Sequence, residues 1–354
     1  MTAFFLATLI TIFSLFFKKS KVLSIVLFIF IWILFGWNNW NADYPMYEKM
    51  YSDNLSYSSL FTYEGGYKFL MFCCKLIHLN FQQFFVFVSG IVLLFLFRFF
   101  LIFSYLPAFL IITFFWVFFP LQFVIFRNFI AFVIMLQGLI PVLRNEKYNK
   151  QKFIFFVLIA STIHISSLLY LIFLFAFKEE EIKIKNVYFY LFSLLAIIII
   201  LHKFVFQIIS FANYNKALFY KTSFHLFVFY SLIQIVNLYV VKYFLKYDSF
   251  FSKQDSYRVN TIMLNINVIM LFLIPIYYGM AVFIRILLNM SIVNLVFITN
   301  KSFLTERKLF PMSLFFIYML FWFFCFIFLV KEGTIIPLFN NNLILNHFYF
   351  YIYL

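Results

Sequence analysis

An arginine and a histidine at the ends of two consecutive apolar runs are the first candidates for chemistry. Arg127 heads the run that extends to Leu143, and His164 follows the short basic turn at 144–152 and another apolar stretch. If the two runs are antiparallel membrane helices, both side chains lie at the same membrane face. An arginine inside an apolar run is costly in lipid, so Arg127 is predicted to have a functional role or an anionic partner.

The guanidinium groups of Arg127 and Arg285 are suited to binding phosphate. A guanidinium stays charged and presents a fixed fork of donors to phosphate oxygens. Two of them at the outer membrane face could hold a lipid-linked pyrophosphate and stabilise its charge as it leaves. The alternatives are contact with ordinary lipid headgroups, or an ion pair with a carboxylate such as Asp43 or Glu64.

His164 lies in a polar patch within an otherwise apolar segment, beside Ser161, Thr162, Ser166 and Ser167. Because an imidazole titrates near physiological pH, it could act as a general base for a hydroxyl group or as a charged donor to phosphate. A single interhelical hydrogen bond is the simpler interpretation. The sequence leaves both open.

The longest polar stretch, 38–66, brings acids and tyrosines together. Its acids and tyrosines are Asp43, Glu48, Asp53, Glu64, Tyr44, Tyr47, Tyr51, Tyr57 and Tyr63. A carboxylate here could orient or deprotonate an acceptor hydroxyl, and tyrosines at helical spacing could bind sugars. Tyrosines also populate the aromatic belt of membrane proteins, and the acids could form salt bridges with Arg127, Arg285 or Lys68.

Composition restricts the fold class. The chain has 354 residues, of which 66% are apolar and 11% charged, and its mean hydropathy is +1.02. Since each membrane span needs about 20 apolar residues, the chain has room for about ten to twelve spans and no soluble domain. We therefore predict an all-α, polytopic integral membrane protein with some short or broken helices, in a single transmembrane domain over 1–354.

Charge and cysteine usage exclude several classes of function. The net charge of +15 resides mostly in short loops, where it sets membrane orientation, and no contiguous basic face predicts nucleic-acid binding. Cys73, Cys74 and Cys325 lack zinc-ligand spacing and are predicted to be structural. No phosphate-binding glycine loop, HExxH or paired acidic motif occurs, so neither a metal nor a cofactor is expected.

The basic loops predict the topology. The tight basic turn at 18–21 is expected in the cytoplasm, which makes 38–66 extracytoplasmic. The same alternation places 213–223 and the tail 331–354 outside. The stretch Tyr67–Leu79 is too short to cross and is predicted to be interfacial or re-entrant.

The run Phe153–Phe177 has two interpretations. As one span it ends outside with His164 near the middle of the membrane. As two short arms that break around 164–167 it returns to the cytoplasm, which keeps the later basic loops inside. We favour the second, because broken helices at membrane depth often carry functional sites.

Five short motifs, taken together, resemble a known family. They are Asp43-Tyr44 with Tyr47, Glu64-Gly65-Gly66-Tyr67, Phe126-Arg127-Asn128, His164-Ile165-Ser166-Ser167 and Ile284-Arg285. In order and spacing they resemble the EpsG-like group of Wzy-type O-antigen and polysaccharide polymerases over most of the chain. That group usually has a glutamine where this chain has Asn128.

The resemblance implies a GT-C-like glycosyltransferase of the bacterial inner membrane, active in polysaccharide and lipopolysaccharide biosynthesis. Such enzymes join undecaprenyl-pyrophosphate-linked oligosaccharide repeat units of O-antigen or capsule at the periplasmic face, without a nucleotide sugar or metal. Membrane lipid and a chain-length regulator protein are further expected partners.

The same resemblance assigns roles to residues. It implies that Arg127 and Arg285 bind the donor pyrophosphate, with His164 beside them. The candidate catalytic residues are Arg127, His164, Arg285 and Asp43, and the candidate substrate-binding residues are Tyr44, Tyr47, Glu64, Tyr67 and Asn128. Two other functions stay open. One is a polyprenyl-phosphate-sugar-dependent GT-C transferase with Asp43 as its acid, and the other is a flippase or transporter of lipid-linked oligosaccharide.

Overall fold

The computed structural model describes residues 2–53, 64–184, 222–245, 253–304, 309–328 and 330–345. These residues are predominantly helical, so the predicted all-α class is confirmed. The α-helices are α1 (Thr2–Phe16), α2 (Lys21–Gly36), α3 (Tyr44–Ser52), α4 (Gly65–Leu76), α5 (Phe81–Phe103), α6 (Pro107–Val117), α7 (Phe119–Val124), α8 (Phe126–Leu143), α9 (Asn149–Ile163), α10 (Phe224–Leu245), α11 (Lys253–Ile269), α12 (Ile274–Gly279), α13 (Ile284–Leu304), α14 (Leu309–Phe323) and α15 (Ile335–Asn340). Three-ten helices span Ile165–Ala176, Met270–Leu273 and Ala281–Phe283, and a π-helical turn spans Phe324–Phe328.

Six helical stretches are long and apolar enough to cross a membrane. They are Phe81–Phe103, Phe126–Leu143, Phe224–Leu245, Tyr257–Gly279, Ile284–Phe303 and Leu309–Phe328. Four shorter apolar helices accompany them, at Ala3–Phe16, Lys21–Gly36, Pro107–Val117 and Ile165–Ala176. The chain is therefore a multi-pass helical membrane protein. The predicted total of ten to twelve spans stays a prediction, and the predicted loop at 213–223 lies outside the described residues except for 222–223.

The described residues cluster into two compact units. One comprises Met1–Tyr170 and Glu306–Leu354, and the other comprises Leu171–Thr305. The first unit contains the first polar loop, helix α8 and the break at His164. The predicted single transmembrane domain over 1–354 stays a prediction.

The first unit is built around an aromatic cluster. Phe35 of α2 lies 5.4–5.5 Å, between ring centroids, from Phe85 of α5, Phe119 of α7 and Phe126 of α8. All four side chains are buried. Edge-to-face contacts of this kind add to the free energy of burial and fix ring orientation. They hold the N-terminal turn of α8, and therefore Arg127, at a defined position.

Two closely spaced breaks precede α8. Pro120 lies in the first turn of α7, a position that suits a residue with no backbone N–H and a fixed φ. Ile125 then separates α7 from α8. Arg127 is therefore the second residue of α8.

The predicted break at His164 is present. Helix α9 ends at Ile163, and His164 follows in an extended conformation with φ −148° and ψ 113°. A three-ten helix, Ile165–Ala176, continues the chain. Whether the segment after the break returns to the cytoplasm stays a prediction.

Helix α4 has the length expected of a segment that does not cross. Its 12 residues correspond to about 18 Å of helix, well short of the hydrocarbon thickness of about 30 Å. It begins two residues earlier than the predicted Tyr67–Leu79 stretch, directly after Glu64.

The second unit has a polar core. Asn237 of α10 donates to Asn267 Oδ1 at 3.1 Å, and Asn267 of α11 and Asn294 of α13 exchange two hydrogen bonds of 2.8 and 2.9 Å. All three side chains are buried. Amide pairs of this kind stabilise helix contacts where hydrophobic burial offers little driving force.

Candidate functional site

One carboxylate joins the two residues that the sequence singles out. Glu64 Oε2 accepts a hydrogen bond from Arg127 Nη1 at 2.5 Å, and Glu64 Oε1 lies 2.8 Å from His164 Nδ1. The side chains of Glu64, Arg127 and His164 are 8%, 19% and 16% exposed. The structure thus brings Arg127 and His164 together on one carboxylate, and their place at one membrane face stays a prediction. Of the carboxylates that the sequence offered as ion-pair partners of Arg127, the structure shows Glu64 in that position.

Glu64 reaches both partners from a special backbone position. Its φ of 58° and ψ of 38° lie in the left-handed region, which is uncommon for a residue with a Cβ and often marks functional sites. Two residues later, a Cβ on Gly66 would lie 2.1 Å from Thr162 Oγ1. Glycine is therefore required where α4 approaches the end of α9, and this approach brings Glu64 to His164.

The partners of Glu64 determine which ring nitrogen of His164 carries the proton. An ionised carboxylate can only accept hydrogen bonds, and the bond from Arg127 favours the ionised form of Glu64. His164 must then donate from Nδ1–H. When the imidazole is neutral, Nε2 carries the lone pair, and it has no hydrogen bond to the described residues. This tautomer is assigned from the chemistry of the pair.

Two buried tyrosines flank the Arg127 guanidinium. The rings of Tyr47 and Tyr67 each have their centroid 5.7 Å from its central carbon, within the range of cation–π attraction. Burial raises the pKa of Tyr47, although the neighbouring guanidinium acts in the opposite direction. Tyr47 is therefore a neutral phenol and not a phenolate base.

The site retains unused hydrogen-bond donors. Arg127 Nε and the Tyr67 hydroxyl are both buried, and neither has a hydrogen-bond partner among the described residues. Buried polar groups are normally paired. These two donors are available to the oxygens of an anionic ligand.

Asp43 is connected to this cluster through Tyr47. It is partly exposed and occupies the N-cap position of α3, one turn before Tyr47. Its carboxylate raises the pKa of Tyr47, so the two groups are electrostatic neighbours. The structure thus brings Asp43, Tyr47 and Arg127 into one region.

Tyr44 and Asn128 are buried in the structure. The Tyr44 hydroxyl donates to Gln82 Oε1 at 3.0 Å, and its ring packs on Phe81 at 5.0 Å. Burial, followed by the charge of Glu48, raises the pKa of Tyr44 to about 12. Asn128 follows Arg127 in the first turn of α8 and is 4% exposed. Tyr44 therefore anchors α3 to α5 in this structure.

Arg285 belongs to the second unit. It is the second residue of α13, as Arg127 is of α8, and its side chain is partly exposed. It has no hydrogen bond or ion pair with any residue in the described ranges. Its guanidinium donors are therefore available to a ligand.

Three residues shape the site in ways that their sequence positions do not show. Gly66 lets α4 approach Thr162, and Gln82 holds Tyr44. Only the Gly65–Gly66 pair carries a local signal, since consecutive glycines often mark close backbone approach. Within the part of the chain that the structure describes, no group of three or more His, Cys, Asp or Glu side chains could hold a metal ion.

The model of the EpsG family matches residues 21–345. The chain belongs to the EpsG family. The matched range contains every residue of the site described above. No curated protein and no solved structure matches the chain. Family membership indicates a polysaccharide polymerase type of function, in keeping with a glycosyltransferase-like enzyme of polysaccharide biosynthesis, and the apolar helices make it a transmembrane protein.

Proposed function

We propose that this EpsG-family protein polymerises undecaprenyl-pyrophosphate-linked oligosaccharide repeat units of O-antigen or capsule. It transfers the growing chain from its lipid carrier to the next repeat unit at the periplasmic face of the bacterial inner membrane. The observation that carries the proposal is the Glu64 carboxylate, which joins an arginine and a histidine at the start of a buried membrane helix.

Arg127 supports the proposal as the group that holds the donor pyrophosphate. One of its N–H groups is used by Glu64, while its buried Nε and the Tyr67 hydroxyl are unpaired. A pyrophosphate oxygen would satisfy these donors by charge-assisted hydrogen bonds. Because the donors are fixed before reaction, they also stabilise the negative charge that develops on the leaving group. Arg285 is proposed as a second pyrophosphate ligand.

His164 is proposed as the general base. In the reaction, an acceptor hydroxyl oxygen bonds to the anomeric carbon of the donor sugar, while the bond from that carbon to the pyrophosphate oxygen breaks. The bonding electrons leave with undecaprenyl pyrophosphate, and the hydroxyl proton passes to His164 Nε2. Glu64 then stabilises the imidazolium through the Nδ1–H bond, as a carboxylate behind a catalytic histidine does elsewhere.

Asp43, Tyr44 and Tyr47 are proposed for the acceptor side. Asp43 is partly exposed and adjoins Tyr47, so its carboxylate can orient an acceptor hydroxyl. Tyr47 is a neutral phenol, so it is proposed to position the acceptor by hydrogen bonding and not to act as a base. Tyr44 contributes through its bond to Gln82.

The proposal is tested with purified protein and lipid-linked repeat units. We expect Arg127→Ala and Arg285→Ala to abolish lengthening while the protein still inserts, leaving single lipid-linked units. Arg144→Ala is the matched control, because Arg144 lies exposed at the opposite end of α8, and it should give the wild-type ladder. Normal ladders from both alanine variants would refute the proposal.

The same preparation separates the two rival functions. Transfer of a single sugar from a polyprenyl monophosphate, with no use of oligosaccharide donors, would indicate a GT-C transferase. Movement of lipid-linked units across liposomes without lengthening would indicate a flippase. Either result would replace the proposed activity.

A further inference from the structure

A segment near the C-terminus is paired with the first polar loop. We define residues 335–345 as the C-terminal strap. The backbone N–H of Asn39 donates to the Asn341 carbonyl at 2.9 Å, and the N–H of Leu343 donates to the Trp37 carbonyl at 2.8 Å. Two such bonds, in opposite directions, fix the register of the strap against the loop.

Two buried asparagines reinforce this pairing. Asn38 Nδ2 donates to the Pro337 carbonyl at 2.8 Å, and Asn342 Nδ2 donates to the Ile33 carbonyl at 2.7 Å. Both asparagines are 0% exposed. The acceptor oxygen of Asn38 is used within its own loop, by the Trp40 N–H at 3.0 Å. The Asn38 amide thus has a hydrogen-bond partner for both its nitrogen and its oxygen. A buried amide that lost its partner would be destabilising.

The paired loop leads directly into the site. Asn41 Oδ1 accepts from the backbone N–H of Asp43 at 3.0 Å, and the Asn41 carbonyl accepts from the Tyr44 N–H at 3.1 Å. These bonds start α3, which carries Tyr47 against Arg127. A shift of the loop would therefore move Asp43 and Tyr47 together.

Gln82 holds the same loop from the other side. Its Nε2 donates to the Gly36 carbonyl at 2.5 Å and more weakly to the Asn38 carbonyl at 3.4 Å, while its Oε1 accepts from the Tyr44 hydroxyl at 3.0 Å. The loop thus depends on side-chain amides and the strap, because it has no regular structure between α2 and α3.

We infer that the C-terminal strap is a positioning element of the site. Its pairing fixes the loop at 37–43, and through that loop it sets Asp43 beside Tyr47 and Tyr47 against Arg127. This role rests on the proposed function of the site. The strap follows the last long helical stretch, Leu309–Phe328, so membrane crossing does not require it.

The test compares two neighbouring asparagines that receive the same substitution. Asn38→Asp keeps the acceptor for the Trp40 N–H but replaces the hydrogen bond to the Pro337 carbonyl by repulsion between two oxygens. Asn39 is exposed and its side chain makes no hydrogen bond to the described residues, so Asn39→Asp is the control. We expect Asn38→Asp to lower kcat at least about tenfold with KM for the lipid-linked donor changed less than about twofold, and Asn39→Asp to match the wild type.

A reversible cross-link separates positioning from general instability. Asn39 and Asn341 face one another across the pairing, so Asn39→Cys with Asn341→Cys should form a disulfide. In the Asn38→Asp background, oxidation should restore kcat and reductant should remove the gain. The rate of cross-linking gives a readout without activity, and it should be slower with Asn38→Asp than with Asn38 intact.

Each contrary result has a definite meaning. Wild-type kcat for Asn38→Asp, an equal loss for Asn39→Asp, or no recovery on oxidation would overturn the strap inference. Arg127→Ala and Arg285→Ala are measured in parallel. If both variants keep full polymer growth, the proposed function fails, while the cross-linking rates still decide whether the strap is held by Asn38.

Discussion

Replacing Glu64 with glutamine is the sharpest test of the site. Glutamine has the size and shape of glutamate, but one of its two terminal groups is an NH₂ that can only donate. Glu64 accepts from Arg127 Nη1 and from His164 Nδ1. Glu64→Gln can keep its carbonyl oxygen on Arg127, without the charge, and turn its NH₂ toward His164, which then accepts at Nδ1 and carries its proton on Nε2.

The expected loss follows from these two bonds. A hydrogen bond to a charged group contributes about 1.5–3 kcal/mol, and each 1.4 kcal/mol corresponds to about a factor of ten in rate. Losing the charge on both bonds, and with it the free lone pair of His164 Nε2, is expected to lower turnover by about 10²- to 10⁴-fold. Because Glu64 and Arg127 are mostly buried, the weaker, uncharged bond to the guanidinium should also lower folding stability by about 1.5–3 kcal/mol.

The assay is lengthening of lipid-linked repeat units by purified protein, read as a ladder on gels. Glu48→Gln is the matched control, because Glu48 is exposed on nearby α3 and should keep wild-type turnover. Stability is followed in parallel by thermal unfolding in detergent, so that loss of turnover is compared at equal amounts of folded protein. Turnover of Glu64→Gln above about half of the wild type would refute the role given to this carboxylate.

Three further changes test other parts of the structure. Arg127→Lys keeps the charge but loses the fork of donors and should lower turnover at least about tenfold; an unchanged ladder would contradict bidentate binding of phosphate. Gly66→Ala places a Cβ 2.1 Å from Thr162 Oγ1 and should lower the free energy of unfolding by about 1–3 kcal/mol. Gly333→Ala is the control and should be tolerated, because its Cβ would meet only the Val330 carbonyl oxygen, at 3.8 Å. Equal thermal midpoints for the two variants would show that α4 can move. Asn267→Leu removes the amide that links three helices of the second unit and should lower the free energy of unfolding by about 2 kcal/mol. An unchanged thermal midpoint would show that this hydrogen-bond network is dispensable.

The fold class and the helical nature of the spans could be predicted from sequence. In lipid, every backbone N–H and C=O must be paired within the protein, so long apolar runs have to be helical. The charge pattern also located one boundary. A break around 164–167 was predicted because it keeps the later basic loops inside, and α9 ends at Ile163.

The positions of single charged residues were predictable for the same reason. An arginine that heads an apolar run lies at a membrane face, because lipid excludes it from the interior. Arg127 and His164 were therefore expected on one side, and both contact Glu64. Arg285 was expected on the same side, but it belongs to the other compact unit, so its position stays a prediction.

Only the tertiary structure decided which groups touch. Glu64 meets Arg127 across 63 residues of sequence and His164 across 100, and the strap reaches Asn38 from 299 residues away. No local propensity encodes such contacts, since they arise from packing of helices that are distant in the chain. The left-handed conformation of Glu64 and the missing side chain at Gly66 matter only where α4 meets α9. The sequence by itself thus determined that this is a helical membrane protein, and the packing of α4 against α9 determined that Glu64 is the carboxylate that holds Arg127 and His164.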